Sequence, residues 1–492
     1  MNAPSGRPER PARTPRVVQA DAMPSDAPRV PVAIVGAGAC GLVAAIALRD
    51  AGVECLLIER DPAPSGSTAL SSGFVPAAGT AVQRAAGVVD DPARFAADIV
   101  AKSKGRAAPA LVAAYAEAAG PAIDTLAERH GLAFELLDGF LYPGHSVRRM
   151  HALAHRTGAA LVAALESAAR AAGADLLTDA RAVELWCDAE RRVLGVGVER
   201  PDGRLERIAC DALLLACNGY GGDRDKVREW LPEMRDAVFA GHAGNDGTAV
   251  DWGRALGARL ADLGGYQGHG SWAVPQGALI TWAPMTEGAI QVDATGRRFH
   301  DETQGYSEAA VRVLACPGGV AWNVLDDRLL ALARGFPDFV EAERVGAVRD
   351  AADVDALAAI VGCDPAVLRA TLDAVAPGAP DAFGRRFARR LAPPYHAIRV
   401  TGALFHTQGG LDVDARCRVL DTDGRPFPNL VAAGGAARGV SGDAVWGYLS
   451  GNGLLSAVAG GSIAARTLAA LPSVRPTPAP SLPAARPDRS PP

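Results

Sequence analysis

The sequence predicts an α/β fold: a discontinuous Rossmann-like domain interrupted by an inserted α+β domain. Three observations carry this. Residues 32–41 (VAIVGAGACG) run from an apolar strand into a turn with Gly36, Gly38 and Gly41; a helix follows over residues 42–50, and a second apolar run ends at Leu56-Leu57-Ile58-Glu59. Far downstream, residues 429–435 (NLVAAGG) read as a strand and residues 453–468 as a helix of small residues. Between them, strand-like and helix-like segments alternate along a chain of 492 residues, enough for two or three domains.

The opening motif has the spacing of a Rossmann-like βαβ unit that binds a dinucleotide. Gly36 permits a tight turn, Gly38 lets the backbone approach a pyrophosphate, and Gly41 lets helix and strand pack closely. The helix N-terminus adds unpaired N–H groups and partial positive charge. Glu59 stands where a carboxylate takes two ribose hydroxyls, and Ala39, Cys40 and Arg60 flank these positions.

Along the chain, residues 1–27 are rich in Pro, Arg and Ala and read as a disordered tail, as do residues 472–492. Residues 111–130 and 158–172 read as helices. Residues 193–199 and 209–215 read as strands joined through a hairpin turn at Pro201-Asp202-Gly203. Residues 211–219 (DALLLACNG) form a buried strand entering a turn, and residues 241–247 (GHAGNDG) form a glycine-rich loop before another helix. The predicted organisation is a nucleotide domain over residues 28–262 and 403–471, with the inserted substrate or cap domain over 263–402.

Composition excludes several classes. Charged residues make up 21% of the chain, the hydrophobic set 49%, and the net charge is −5, which gives nucleic acid or an anionic membrane no reason to bind. The eight cysteines form no CxxC pattern, so no metal site is expected and buried free thiols in a reducing, cytoplasmic setting are. The N-terminus has no apolar segment of the kind a secretory signal needs, and no run is long and apolar enough to span a membrane.

Together these features resemble the flavoprotein family of fumarate reductases, succinate dehydrogenases and ring-desaturating 3-ketosteroid dehydrogenases, over nearly the whole chain between the tails. The resemblance implies FAD. Residues 66–76 (GSTALSSGFVP) are similar to the family loop along the flavin, and place Ser67, Thr68, Ser71, Ser72 and Gly73 there. That loop holds no histidine, which implies non-covalent FAD. Ala216, Asn218 and Gly219 match the strand end that meets FAD, Asp246-Gly247 the family's GDG loop, and Gly434-Gly435 the late element at the second ribose, with Ala436 where many members have Glu. Val183, Asn452, Leu454 and Leu455 complete the cofactor set that the resemblance implies.

The inserted region carries a further match. Residues 289–302 (AIQVDATGRRFHDE) look like a family segment built as strand, turn at Gly296 and returning strand. His269 sits where fumarate reductases carry a substrate histidine, and residues 405–411 (FHTQGGL), with His406, look like their HTMGG element. The carboxylate enzymes hold their substrates with arginine forks. Here Tyr448 replaces one such arginine, and Leu330, with Arg328 two residues earlier, falls on the proton-donor position.

The ketosteroid branch matches better, because Tyr306 and Tyr448 both fall on tyrosine positions. There one phenol abstracts an α-proton and the other polarises the ketone. Independently of any family, desaturation beside a carbonyl needs an acid at the oxygen, a base at the α-carbon and a β-hydride acceptor such as flavin N5. The base needs a lowered pKa or a relay, since a free tyrosine titrates near about 10. Tyr142 is a third candidate phenol. The low aromatic content and Arg148-Arg149 suggest a smaller ketone bearing a carboxylate, such as an oxo-cycloalkane acid, in place of a steroid. The expectation is therefore an FAD-dependent ketone α,β-desaturase or the reverse enone reductase, working with an external electron acceptor or donor. A carboxylate oxidoreductase of the fumarate or tricarballylate type, with His269 and His406 polarising the carboxylate, is the alternative. A flavin-binding redox-partner module without dehydrogenase chemistry is a third reading.

Overall fold

The strand Arg29–Val35 is a run of apolar residues that no water reaches past Pro31, and it forms the centre of a nine-stranded sheet. The computed structural model describes residues 13–474. Arg29–Val35 pairs in parallel with Cys55–Ile58 on one side, and Asp175–Leu177 extends that edge. On the other side it pairs with Leu205–Leu215.

That long strand changes partner along its length. Its first half pairs antiparallel with Val193–Glu199, and its last three residues pair in parallel with Pro426–Ala432. The late part of the chain thereby returns to the same sheet as the opening motif. The helices Ala39–Asp50 and Asn452–Ala469 pack against each other closely enough that a Cβ on Gly461 would lie 2.5 Å from the Cys40 carbonyl oxygen. This close approach explains the small residues of the second helix.

A second, seven-stranded sheet is organised around Tyr395–Thr407, which pairs antiparallel with Tyr266–Ala273, Val320–Asp326 and Val348–Ala351. It has its own apolar core, including Trp322, Leu325, Phe339 and Leu368. The expected boundary at 402 falls inside the strand Tyr395–Thr407, and Val238–Phe239, from before the expected insert, joins the same strand.

Several expectations are corrected. Residues 13–27 are not a disordered tail: Arg16–Gln19 is a strand, parallel to Arg181–Cys187 at the edge of the large sheet, with Arg16 paired to Glu184 at 2.5 Å. Four residues are too few to show periodicity; an open strand edge and a buried acid recruit them. Of the expected tail over 472–492, residues 472–474 are ordered, with Val474 buried; residues 1–12 and 475–492 lie outside the described residues. The returning strand of residues 289–302 is a single bridge, Val292 to Arg298, after the turn at Gly296. The chain then enters a short turn at Glu302–Gln304 and the helix Tyr306–Leu314. The predicted helices appear as Pro109–His130 and Gly158–Ala171. All eight cysteines are free thiols, and no helix among the described residues is long and apolar enough to cross a membrane.

Candidate active site

A cavity of about 1700 Å³, its open mouth included, runs from the opening motif to the second sheet. Main chain builds its first end. Gly36 has φ 104°, and a Cβ there would lie 2.5 Å from the Ala216 carbonyl oxygen. On Gly41 a Cβ would sit 2.0 Å from the Gly36 oxygen, so this glycine serves strand–helix packing and does not face the cavity. Gly38, Ala39 and Cys40 do face it, at the start of a 12-residue helix whose N-cap, Gly38, has no side chain to offer. Thr68 accepts from the Ala39 N–H at 3.2 Å.

Glu59 is 6% exposed and accepts from the N–H groups of Ala37 at 2.8 Å and Asp61 at 3.1 Å. Burial raises its pKa against the pull of those two donors. Ser67 accepts from Asn218 at 3.0 Å and Asn245 at 2.8 Å, which fixes the loop over residues 66–73. Arg60 donates to Asp246 at 3.3 Å and to the Gly244 carbonyl at 3.0 Å, and Arg181 also reaches Asp246. A helix start of which a side chain takes only the Ala39 N–H, a glycine open to the cavity and a buried acid fit a dinucleotide: N–H groups for the pyrophosphate and Glu59 for a ribose.

Most of the expected cofactor positions line this cavity: Gly36, Gly38, Ala39, Cys40, Glu59, Arg60, Ser67, Thr68, Ser71, Ser72, Gly73, Ala216, Asn218, Asp246, Gly434, Gly435 and Leu454. Gly41, Val183, Gly219, Gly247, Asn452 and Leu455 do not. Arg181 and Ala182 take the wall beside Val183. Gly219 is packed on Thr407, whose Oγ1 would lie 2.0 Å from a Cβ there. Gly247 has φ 81° and starts the helix Thr248–Leu256. Asn452 donates to Ser441 at 2.9 Å, and Leu455 belongs to the core.

At the other end of the cavity stand Tyr142, Tyr306, Tyr448 and His406. Tyr306 is the first residue of its helix, presented by Gly305 at φ 134°. The rings of Tyr306 and Tyr448 lie 6.1 Å apart, and His406 meets Tyr448 edge-on at 5.7 Å. Tyr448 Oη accepts from the Gly453 N–H at 3.4 Å. The hydroxyls of Ser450 and Tyr448 act on that of Tyr306 and favour its phenolate, but burial outweighs them and holds the Tyr306 pKa above its ordinary value. Burial also raises Tyr448 and Tyr142. The expected base with a lowered pKa is therefore absent from this state: three neutral phenols line the cavity.

The imidazoles are neutral as well. Burial pushes His406 down to about 4 and His269 down to about 3. His269 does not line the cavity. It stacks behind Tyr306 at 4.9 Å, and its Nδ1 accepts from the Ser271 N–H at 3.1 Å, which leaves the proton on Nε2. The ladder slips between Gln267 and Gly268, so Gln267 faces the cavity where simple alternation would give it and His269 the same face. Sequence reasoning missed Gln267, which no motif marks. It also missed Asn245, Phe74 and Ser450, although Asn245 sits beside the Asp246 loop and Ser450 inside the Tyr448 element.

Among the described residues, Arg60 and Arg181 are the cationic side chains lining the cavity, and both lie at the Glu59 end. Arg149 is buried and spent on Asp90 and Asp98, while Arg148 is exposed and donates to the Asp138 carbonyl. Arg328 donates to the Glu287 carbonyl, and Leu330 belongs to the second core. No group of three metal-ligating side chains occurs among the described residues.

Comparison with known proteins agrees with this geometry. Residues 31–454 match the model of the FAD binding domain family. A probable fumarate reductase of Shewanella frigidimarina is 29% identical over 444 residues, 88% of this chain and 74% of that protein. The open conformation of a flavocytochrome c3 fumarate reductase superposes with a TM-score of 0.77 at 27% identity, covering 90% of this chain and 79% of the other. A 3-ketosteroid Δ4-(5α)-dehydrogenase from Rhodococcus jostii shares the fold, with a TM-score of 0.74 at 22% identity over 93% of this chain and all of that one. The chain belongs to the FAD binding domain family, and it is an FAD-dependent oxidoreductase of the class that acts on CH–CH and C=C bonds.

Proposed function

We propose that the protein interconverts a cyclic ketone and its α,β-unsaturated enone. The observation that supports this best is the facing pair Tyr306 and Tyr448 at an end of the cavity without a guanidinium group. Bound FAD, held non-covalently, supplies the hydride acceptor or donor for the β-carbon. Tyr448, a neutral phenol, donates a hydrogen bond to the carbonyl oxygen, and that bond strengthens as enolate charge develops. His406 packs against the Tyr448 ring and fixes its direction.

Tyr306 exchanges the α-proton. Its raised pKa keeps it protonated at neutral pH, the form that delivers a proton to the α-carbon when the enone is reduced. In the oxidising direction Tyr306 first gives its own proton to solvent and then takes the α-proton; with the Tyr448 hydroxyl engaged by the carbonyl, the Ser450 hydroxyl is the donor that the transient phenolate needs. Phe74, Met150, Leu279 and Phe405 line the same cavity and suit an apolar ring.

The carboxylate reading has its own support in the fumarate-reducing names of the relatives and in His406. It lacks a free cation at the tyrosine end, where a dicarboxylate would need one. The test uses enzyme photoreduced without oxygen, mixed with 2-cyclohexen-1-one or with fumarate while flavin absorbance is followed. Reoxidation by the enone and not by fumarate is expected. Efficient reoxidation by fumarate alone would replace this reading with the carboxylate one.

A further inference from the structure

We infer that His145, which takes no part in the chemistry above, is a positioning residue that clamps together the two segments carrying Tyr142 and Tyr448. The inference rests on the proposed role of Tyr448. His145 is buried, and each of its ring nitrogens has one partner. Nε2 donates to the Ser450 carbonyl at 2.9 Å, and Nδ1 accepts from Arg149 Nη1 at 3.3 Å. The roles follow from the partners, because a carbonyl only accepts and a guanidinium only donates. His145 is thus the neutral tautomer protonated on Nε2.

The ring is anchored on one side by a fixed base. Arg149 forms a two-pronged pair with Asp90, 3.0 Å on each prong, bonds Asp98 as well, and lies over the Phe95 ring at 4.6 Å. A buried guanidinium with all these partners does not swing. Phe95 also stacks on His145 at 6.2 Å. On the other side the residue links two chain segments. Its backbone N–H closes a turn on the carbonyl of Tyr142, whose phenol is in the cavity wall, at 3.1 Å. Its Nε2 holds the carbonyl of Ser450, two residues after Tyr448, and Ser450 itself lines the cavity beside Tyr306. The two segments touch directly, since a Cβ on Gly144 would lie 2.8 Å from Leu449.

The hydrogen bond from His145 therefore sets where residues 448–450 stand. Without it the Ser450 carbonyl is a buried acceptor with no partner, and the segment shifts to find water. A shift well under 1 Å at Tyr448 is costly for a hydrogen bond that must be aimed at a developing charge.

Three variants test this in the full-length, FAD-loaded protein. His145→Phe keeps the ring and its stacking and loses both hydrogen bonds. His145→Asn keeps an acceptor for Arg149 and is too short to reach Ser450. His145→Gln keeps a donor at the Nε2 position and an acceptor for Arg149. Amide exchange of the peptide spanning residues 445–454 should be about tenfold faster in the Phe and Asn variants and unchanged in the Gln variant. Reoxidation of photoreduced flavin by 2-cyclohexen-1-one, taken per bound FAD, should slow about tenfold in the first two and recover in the third. Unchanged exchange in the Asn variant would overturn the clamp, and so would faster exchange with an unchanged rate. If the Phe variant does not retain FAD, the Asn and Gln pair carries the same comparison. If the photoreduced unmodified enzyme passes electrons to neither the enone nor fumarate, the proposed function fails, and the exchange data still decide the clamp.

Discussion

Glu59, Arg60, Arg181 and Asp246 ring one end of the cavity; Tyr142, Tyr306, Tyr448 and His406 ring the other. In the first set Arg60 and Arg181 pair with Asp246, with Arg60 and Asp246 each about one-third exposed, while Glu59 is buried and accepts from two backbone N–H groups. The second is buried and neutral throughout: imidazoles pushed below their ordinary pKa and phenols pushed above it by the same loss of water. Charge at the first end serves recognition of a nucleotide that is itself charged. Neutrality at the second keeps donors that respond only as charge develops on the substrate. The contrast predicts that substitutions at the neutral end change rate, and those at the charged end change FAD affinity.

The largest effect belongs to the phenols. Tyr448→Phe should slow flavin reduction or reoxidation by about 10²–10³, the usual worth of one donor aimed at a developing oxyanion, with FAD content unchanged. Tyr306→Phe should slow the same half-reaction and abolish solvent exchange at the α-carbon. Stopped-flow absorbance reads the first and deuterium uptake the second. A Tyr306→Phe enzyme at the unmodified rate would leave His406 as the remaining proton carrier at this end.

The two ends were also unequally legible. Gly36, Gly38, Gly41 and Glu59 could be read without any relative, because a turn at positive φ, a close approach and a buried acid are demands on single residues. The tyrosine end is assembled from segments far apart in sequence, near residues 142, 306, 406 and 448, and nothing local says that they meet. There the resemblance to ketosteroid dehydrogenases did the locating. The resemblance placed His269 at the substrate, whereas the structure stacks it behind Tyr306 in a strand re-aimed by a bulge. The two arginines beside Met150 looked like substrate ligands because their partners, Asp90, Asp98 and the Asp138 carbonyl, are contributed by other turns of the chain. The strand Arg16–Gln19 was invisible because its stability comes from the edge it joins.

The next effect in size falls at Glu59. Glu59→Ala removes a charged acceptor worth about 1.5–3 kcal/mol, so FAD should bind roughly 10- to 150-fold more weakly, measured by fluorescence on reconstitution. The rate per bound flavin should not change. Glu59 also gives a pH signature in the FAD-free protein. Burial raises its folded pKa, so the folded chain keeps the proton to higher pH than the unfolded one. Its contribution to stability is full below the ordinary carboxylate pKa and is lost as pH rises through the raised folded value. Glu59→Gln should remove that part of the slope in denaturant titrations.

A smaller effect is expected at Arg60. Its pairing with Asp246 is solvent-exposed, and such pairs contribute about 0.2–1 kcal/mol. Arg60→Ala should weaken FAD by no more than about fivefold, less at high salt, because screening already removes most of the pair's worth. A loss matching that of Glu59→Ala would mean that Arg60 meets the nucleotide directly.

The smallest expected effect is an absence of change, and it examines the neutral end most directly. His406 titrates near about 4 and His269 near about 3, while burial raises all three phenols. None of these five side chains changes charge between about pH 5 and 9, so they should hold the flavin half-reaction at a constant rate across that range; the carboxyls whose pKa burial raises beside them are Glu308 and Asp338. Below it, protonation of His406 places a cation against the Tyr448 ring and Gly453, and the rate should fall. The measurement is stopped-flow reoxidation by the enone at saturating concentration, so that binding does not enter. A limb near about 6.5 would show an imidazole with its ordinary pKa, hence a hydrated site. A limb near 8 would show a phenol or thiol lowered by a charge absent from this cavity wall. Either result would remove the contrast between the two ends, because the tyrosine end would then work through charge as the nucleotide end does.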